Sequence, residues 1–421
     1  MNNKNDGAGL WGVLGPGMLV AATGIGAGDL ATASFTGSIL GTAVLWAAVV
    51  GAFLKYVVTE GLARWQLATG DTLLEGVVRR IGRPVGWFFL PYLVIWSFFV
   101  ASALMSACGV TLHAMIPLFD DPVQGKVVFG ALASLVGLGL VLLGGYELFE
   151  KIMRVCIGVM FVTVIVTAVL LWPGTGQVLK GLVVPAIPDA GGQGLSWTVA
   201  LMGGIGGTLT VLCYGYWIRE EGRAGAGFLR TCRIDLAAGY VITALFGVAM
   251  VIIGSTIEIE GRGATLLVRL SDQLVEPLGQ TGKWLFLVGA AGAVFSSLLG
   301  VWQAVPYLFA DTLGLLREDN EAATGGAAAA AIDTRSAAYR GYLVALAIVP
   351  MAGLFWRFQE IQKLYAVIGA TFIPLLALAL LLLNGRAEWV GERFRNRPAT
   401  VVVLLATLAF FLWIGWRTLF G

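Results

Sequence analysis

The chain has 421 residues, of which 58% are hydrophobic and 12% are charged, and its formal net charge is +2. Soluble domains carry about 25% charged residues, so this composition excludes a soluble protein and indicates an integral membrane protein. The small net charge gives no reason to expect a nucleic-acid partner. The four cysteines show no metal-binding or redox spacing, and the 58 glycines are typical of helices that pack closely in lipid.

Long apolar stretches recur along the whole chain, each with about the 17 to 25 residues that an α-helix needs to cross a bilayer. They predict an all-α integral membrane protein with a single transmembrane domain, residues 1–421, because no soluble domain fits between two stretches. We expect two successive halves of five spans, about 12–172 and 194–384, and an extra helix at about 398–417. The predicted spans, numbered one to eleven, are 12–37, 42–63, 84–112, 126–146, 152–172, 194–217, 234–256, 283–315, 337–355, 361–384 and 398–417.

Basic residues are distributed unevenly between the loops on the two sides of the predicted bundle. The connection between spans two and three contains Arg79, Arg80 and Arg83, and the connection between spans six and seven contains Arg219 and Arg223. Loops rich in Lys and Arg stay in the cytoplasm. We therefore expect a multi-pass protein of the cell's inner (plasma) membrane, with a cytoplasmic N-terminus and an external C-terminus.

Span one contains one carboxylate, Asp29, in an apolar sequence that also holds Gly24, Gly26 and Gly28. A carboxylate at bilayer depth is costly without a partner and usually marks an ion or substrate path. The glycines favour a helix that unwinds beside Asp29, and irregular backbone at this depth occurs where it lines a cavity. We predict that span one contributes to a cation site, the alternative being that Asp29 only caps a helix or anchors a hydrogen bond.

Span six is interrupted in a similar way by residues 203–207, Gly-Gly-Ile-Gly-Gly, and polar side chains follow at Thr208, Thr210 and Tyr214. Interrupted spans at corresponding positions of two halves indicate a transporter binding site, where free carbonyl groups and helix ends replace the hydration shell of an ion. The alternative is close helix packing by glycine, with the hydroxyl groups in ordinary hydrogen bonds between helices.

Other polar residues also lie in or near the spans. Glu60 and Arg64 are one turn apart on span two and are expected to form an ion pair. Lys55, deeper in the same span, is the candidate counter-charge for the carboxylate of span one, and Asp235 is expected to be solvated or paired with Arg233. The candidates for lining a cavity are Gly24, Tyr214, Ser296, Gln303 and Gln362.

Several of these segments resemble the Nramp divalent-metal transporters. Residues 15–17, Gly-Pro-Gly, and the glycine-rich break resemble the first span of the family, and residues 62–70, Leu-Ala-Arg-Trp-Gln-Leu-Ala-Thr-Gly, resemble the end of its second span. Residues 291–300 are similar to its Gly-Gln-Ser-Ser-Thr pattern in span eight, and residues 372–376 are similar to its Pro-Leu-Leu in span ten. The resemblance implies the LeuT-type fold, an inverted repeat of five plus five transmembrane helices, with an eleventh helix.

The chain departs from the family at the metal site. Gly26 falls on the metal-binding Asp of the family signature Asp-Pro-Gly-Asn, Ala27 falls on the Pro and Asp29 falls on the Asn. The family's Met-Pro-His in span six falls on residues 210–212, Thr-Val-Leu, and Ala103 lies near an acidic position of span three. The thioether that helps to select transition metals and the family's proton route are therefore missing. The chain resembles the divergent branch of Nramp-related proteins that includes magnesium transporters.

The residues and the resemblance together imply a transporter of a divalent metal cation, Mg²⁺ or Mn²⁺, that works by alternating access between spans one and six without proton coupling. Asp29 is the expected metal ligand, with help from Thr210, from carbonyl groups around residues 24–26 and 206–208, and from water. Oxygen ligands suit these hard cations. The expected partners are the divalent cation and the lipid bilayer; no nucleic acid or cofactor is expected, and the oligomeric state is left open.

Two other functions fit the same residues. The substrate could be a small organic cation or an amino acid, whose ammonium group would pair with Asp29 while Tyr214, Tyr216 and Trp217 supply aromatic contacts. The chain could also be a Nramp-like membrane protein that does not transport. An enzyme is not expected, because neither an acid–base pair nor a nucleophile–histidine set occurs on the predicted soluble sides.

Overall fold

The computed structural model describes residues 15–144, 146–257, 265–272, 275–317 and 333–420. Within these ranges the chain is almost entirely helical, and every predicted span corresponds to a helix or to a helix with an interruption. The uninterrupted helices are Leu45–Thr69 (span two), Arg83–Met115 (three), Pro122–Gly144 (four), Tyr146–Leu170 (five), Leu229–Gly254 (seven) and Pro398–Phe420 (eleven). Val275–Arg317 contains span eight and is interrupted at Gly279, whose backbone is not helical.

The remaining spans are divided, and short helices connect some of the spans. Span six consists of Gly194–Gly204, a 3₁₀ turn at Leu209–Leu212 and Cys213–Glu220. Span nine is Ala337–Ile348 continued by the 3₁₀ segment Val349–Phe355, and span ten is Phe358–Ala370 followed by Phe372–Leu383. The connecting helices are Leu73–Arg80, Thr175–Val183, Leu266–Asp272 and Ala387–Val390.

Span one is α-helical at both ends and π-helical in the middle. The two α-helices are Pro16–Gly24 and Ala33–Leu40, and the π-helix between them is Ile25–Thr32. The prediction that this span unwinds is therefore wrong, because its middle is a π-helix and not an irregular segment. A π-helix keeps its backbone hydrogen bonds by shifting them one residue along the chain, and such segments are frequent at functional sites.

Helix length and hydropathy agree with a protein that crosses the membrane many times. Among the described residues, eight helical stretches are long and apolar enough to cross a bilayer, and the first of these, Asp29–Thr69, takes in parts of both span one and span two. A ninth arises if Gly158–Leu170 and Thr175–Val183, which meet at 118°, are counted as one span. Span eleven contains the shorter apolar helix Pro398–Ile414. The predicted all-α integral membrane protein is confirmed.

Spans one and six lie next to each other inside the bundle. The π-helical segment of span one packs against the first helix of span six and against spans three, seven, eight and ten. Large apolar side chains point outward from the bundle, such as Phe88, which is 81% exposed, and Leu143, which is 87% exposed. Their exposure is expected where helices face lipid. The packing places the middle of span one away from lipid and against the interrupted part of span six.

Candidate functional site

Asp29 lies inside the π-helical segment and is completely buried. Its Oδ1 accepts a hydrogen bond from the backbone N–H of Gly206 in span six at 3.0 Å. Its Oδ2 has no hydrogen-bond partner among the residues that the structure describes. One carboxylate oxygen therefore joins span one to span six, and the other is available for a further contact.

Span six breaks within the glycine-rich stretch at residues 203–207, as its sequence predicts. The first helix of the span ends at Gly204, and Gly206 and Gly207 have left-handed backbone angles, with φ of 71° and 79°. A Cβ atom on Gly206 would lie 2.9 Å from Cε1 of Tyr240. Both the backbone angle and the lack of space therefore require glycine at position 206.

The ammonium group of Lys55 lies at this break. Lys55 is on span two and is 1% exposed, and its Nζ donates to the carbonyl group of Gly203 at 2.5 Å and to those of Ile205 and Gly207. We call these three carbonyl groups the carbonyl cradle. Lys55 also interacts electrostatically with Asp29, as predicted, although no direct ion pair joins the two within the described part of the chain. The Gly207 carbonyl, expected to bind the substrate ion, here accepts from Lys55.

Two buried tyrosines that the sequence did not single out also surround Asp29. Tyr240 on span seven and Tyr365 on span ten both lie within electrostatic range of its carboxylate. The Tyr240 hydroxyl is 2.7 Å from Oγ1 of Thr59 on span two. A single tyrosine in an apolar span has no characteristic spacing, which is why sequence analysis missed both residues.

Two further buried oxygens on neighbouring segments lack a hydrogen-bond partner in the described ranges. Oγ1 of Thr208 lies near Tyr365 without reaching hydrogen-bond geometry. Gln362 on span ten donates from Nε2 to the carbonyl group of Ala103 at 2.8 Å, while its Oε1 has no partner. Buried polar atoms are nearly always satisfied, if not by protein then by water or an ion. These oxygens, together with Oδ2 of Asp29, mark a region with the chemistry to bind a polar ligand.

Three other predicted side chains have partners elsewhere. Ser296 donates to a carbonyl group of its own helix at 2.8 Å. Gln303 accepts from Nε1 of Trp217 at 3.3 Å, and the hydroxyl of Tyr214 donates to Asp235 at 3.2 Å. Within the described ranges, none of these three side chains forms a hydrogen bond with Asp29.

The backbone positions of the remaining predicted residues follow from the two interruptions. Gly24 ends the first helix of span one, Gly26 lies in the π-helical segment, and Thr210 is buried in the 3₁₀ turn of span six. In the described part of the chain, no group of three or more His, Cys, Asp and Glu side chains could hold a metal ion. A cation beside Asp29 would therefore be bound by one carboxylate together with amide, hydroxyl and backbone oxygens and water.

A cluster of charged residues joins several helices at the end of the bundle that the sequence predicts to be cytoplasmic. Arg219 of span six pairs with Glu75 of the Leu73–Arg80 helix at 2.6 Å. The Tyr216 hydroxyl donates to Asp311 of span eight. We call this cluster the polar layer; its charged members are Glu75, Arg219, Arg223, Asp235 and Asp311.

Asp235 is the most buried member of the polar layer, with no exposed surface. It pairs with Arg223 at 3.3 Å and accepts hydrogen bonds from the backbone N–H groups of Gly15 at 3.1 Å and Gly17 at 2.8 Å. The prediction that it is solvated or paired with Arg233 is wrong. Its contacts fix the start of span one against span seven.

Two arginines share one carboxylate beside this layer. Arg64 pairs with Glu60 at 2.8 Å, which confirms the ion pair predicted from their spacing, and Arg233 pairs with the same carboxylate at 2.8 Å.

In the loop after span two, burial raises the pKa of Asp71, and the charge of Glu75 adds to the increase. Partly buried charges thus also occur outside the polar layer.

Comparisons with known proteins show what this chain is similar to. The model of the family described as natural resistance-associated macrophage protein-like matches residues 17–421. The divalent metal cation transporter MntH of Chromohalobacter salexigens is 24% identical over 308 residues, which cover 68% of each chain. The MntH of Mycobacterium tuberculosis is 25% identical over 307 residues, which cover 69% of this chain and 68% of that relative.

Two solved structures share the fold. A mutant of the manganese transporter of Eremococcus coleocola has a TM-score of 0.75 at 18% identity, over 98% of this chain and 88% of that chain. MhsT in complex with L-phenylalanine has a TM-score of 0.62 at 14% identity, over 94% and 95% of the two chains. At such identities the likeness shows the fold alone, and it confirms the LeuT-type arrangement. The chain is a multi-pass membrane protein that belongs to the natural resistance-associated macrophage protein (Nramp) family.

Proposed function

We propose that this protein is a membrane transporter of a divalent cation, which binds between spans one and six at Asp29. The observation that carries the proposal is Oδ2 of Asp29, a buried carboxylate oxygen without a hydrogen-bond partner among the described residues. Burying such an oxygen unsatisfied is unfavourable, and a bound cation removes that cost. The relatives named divalent metal cation transporters support a metal as the substrate.

Oxygens on Asp29 and on segments that neighbour it favour a hard cation that keeps part of its water shell. Asp29 supplies one carboxylate oxygen, and Thr208 and Gln362 supply a hydroxyl and an amide oxygen that no described group satisfies. Mg²⁺ and Mn²⁺ suit such ligands, whereas softer transition metals prefer Cys, Met and His. The transported ion is therefore Mg²⁺ or Mn²⁺.

Alternating access requires the polar layer to separate when the site opens towards that end of the bundle. The ion pair between Arg219 and Glu75 is one of the contacts that must break. The membrane potential supplies about 2.3 kcal/mol per charge per 100 mV, or about 4.6 kcal/mol for a divalent cation. By the resemblance to the family, Leu212 falls on a group of the proton route and Ala103 lies near another, so we infer that this potential drives transport without proton coupling.

Metal flux into proteoliposomes tests the proposal. We expect the wild-type protein to take up Mn²⁺ and Mg²⁺, and Asp29→Asn to lose about tenfold or more, because losing a charged ligand costs more than about 1.4 kcal/mol. Asp272→Asn is the matched control, since Asp272 is an exposed carboxylate paired with Lys283. Undiminished flux in Asp29→Asn would refute its role as ligand. A pH change in the lumen that is proportional to metal uptake would refute uncoupled transport.

A small organic cation or an amino acid is the competing class of substrate. A ligand raises apparent stability by mass action, so we expect Mg²⁺ or Mn²⁺ to raise the Tm of the detergent-solubilised wild-type protein. Amines and amino acids are expected to leave the Tm unchanged. Stabilisation by these compounds but not by either metal would overturn the proposal in favour of the organic substrate.

A further inference from the structure

The carbonyl cradle and the ammonium group of Lys55 match each other in number and in polarity. A lysine ammonium group has three N–H donors and no acceptor, and the cradle presents three oxygens, those of Gly203, Ile205 and Gly207. Because Lys55 is 1% exposed, bulk water does not compete for these donors. Backbone oxygens that replace a hydration shell are the surroundings that proteins offer to small monovalent cations.

Asp29 contacts the same break in span six, but it accepts from a backbone N–H group, whereas Lys55 donates to backbone carbonyl groups. The N–H of Gly206 donates to Asp29, while the carbonyl groups on either side of it, those of Ile205 and Gly207, accept from Lys55. The peptide groups of the break therefore lie between a fixed anion and a fixed cation. This arrangement favours the left-handed backbone at Gly206 and Gly207, where the two helices of span six separate.

We propose that the carbonyl cradle is a monovalent-cation site that the protein fills with the ammonium group of its own Lys55. The side chain acts as a tethered cation, which keeps span six broken and makes a free Na⁺, K⁺ or ammonium ion unnecessary. It also withholds the cradle oxygens from the transported substrate, and Oδ2 of Asp29 remains as the charged ligand. This proposal does not depend on which substrate the protein transports.

Lys55→Ala removes the tethered cation and leaves the cradle open to ions from solution. In N-methyl-D-glucamine chloride, whose cation is too large for the cradle, we expect the detergent-solubilised variant to have a lower Tm than the wild-type protein. Replacement by ammonium or methylammonium chloride at equal ionic strength is expected to restore the Tm. The recovery should depend on concentration as mass action requires. The wild-type protein is expected to have the same Tm in all of these salts, because its cradle is filled.

Lys126→Ala is the matched control for a general effect of salt. Lys126 is also 1% exposed, and its Nζ donates to the carbonyl group of Trp356 at 2.6 Å. This variant is expected to lose stability without recovering in ammonium or methylammonium. No divalent cation is present in these measurements, so they succeed or fail independently of metal transport.

Several results would overturn the proposal. The first is a Tm of Lys55→Ala that equals the wild-type Tm in N-methyl-D-glucamine chloride. The second is a lowered Tm of Lys55→Ala that neither ammonium nor methylammonium restores. The third is an equal recovery of the Tm of Lys126→Ala in these salts. If Lys55→Ala does not fold in any salt, Lys55→Gln and Lys55→Met decide the question. The Gln amide supplies two N–H donors and Met supplies none, so we expect the higher Tm for Lys55→Gln. A Tm for Lys55→Met that equals or exceeds it would show that Lys55 only fills space.

Discussion

Replacing Gly206 by alanine tests how strictly the break in span six is specified. A Cβ atom there would lie 2.9 Å from Cε1 of Tyr240 and 3.2 Å from Cγ2 of Thr243, and φ is 71°. A left-handed backbone costs a non-glycine residue about 1–2 kcal/mol, and a methyl group forced into a filled core costs about 1–3 kcal/mol. Because the Tyr240 hydroxyl is fixed at Thr59, its ring cannot turn away freely. We therefore expect a total loss of about 2–5 kcal/mol.

Gly222→Ala separates these two contributions. Gly222 has φ of 66°, and nothing lies within 4 Å of the position that its Cβ atom would take. This control carries the backbone cost alone, about 1–2 kcal/mol. The difference between the two variants, about 1–3 kcal/mol, measures the contact with Tyr240.

The free energy of unfolding is measured by titrating each variant with SDS in mixed micelles and following tryptophan fluorescence. Mn²⁺ flux by Gly206→Ala is also expected to fall, because the N–H group that binds Asp29 is displaced. Equal losses of stability in Gly206→Ala and Gly222→Ala would refute the steric contact with Tyr240. A Gly206→Ala variant as stable as the wild-type protein would refute the left-handed backbone at the break.

Two further substitutions test the surroundings of the site in the same unfolding assay. Glu75→Gln removes the ion pair with Arg219; the Glu75 side chain is 2% exposed and the Arg219 side chain is 18% exposed. We expect the free energy of unfolding to fall by about 1–3 kcal/mol, less than for a fully buried pair. A coupling energy near zero in a double-mutant cycle with Arg219→Gln would contradict this. Thr59→Val keeps the shape of the side chain but deletes the hydrogen bond to Tyr240, at a cost of about 1 kcal/mol. The same substitution in a Tyr240→Phe background should cost less, and an unchanged cost would show that the hydrogen bond contributes nothing.

Features that depend on neighbouring residues could be predicted from the sequence. Apolar stretches of crossing length located the spans, because the bilayer fixes the length of a helix that crosses it. The glycine-rich stretch at residues 203–207 located the break in span six, where the structure gives Gly206 and Gly207 the left-handed backbone that few other residues adopt. Spacing by one helical turn predicted the ion pair of Glu60 and Arg64.

Contacts between distant segments could not be predicted in the same way. The partners of Lys55 are backbone oxygens 148 to 152 positions away, and a carbonyl group has no residue-type signal. Asp235 and Arg233 are two residues apart on a helix, so they do not face each other, and each finds a partner on another segment. In span one, the glycines predict a disturbed helix but do not determine whether its hydrogen bonds open or shift by one residue.

The π-helical segment Ile25–Thr32 contains more residues per turn than the α-helices on either side of it. Its N–H groups bond five residues back instead of four. Moving these bonds to the α-helical pattern would advance one half of the span against the other by one residue, about 1.5 Å along the axis and about 100° around it. The half that begins at Pro16 is anchored through Gly15 and Gly17 to Asp235. An exchange between the π- and α-helical patterns would therefore change the register of span one around Asp29.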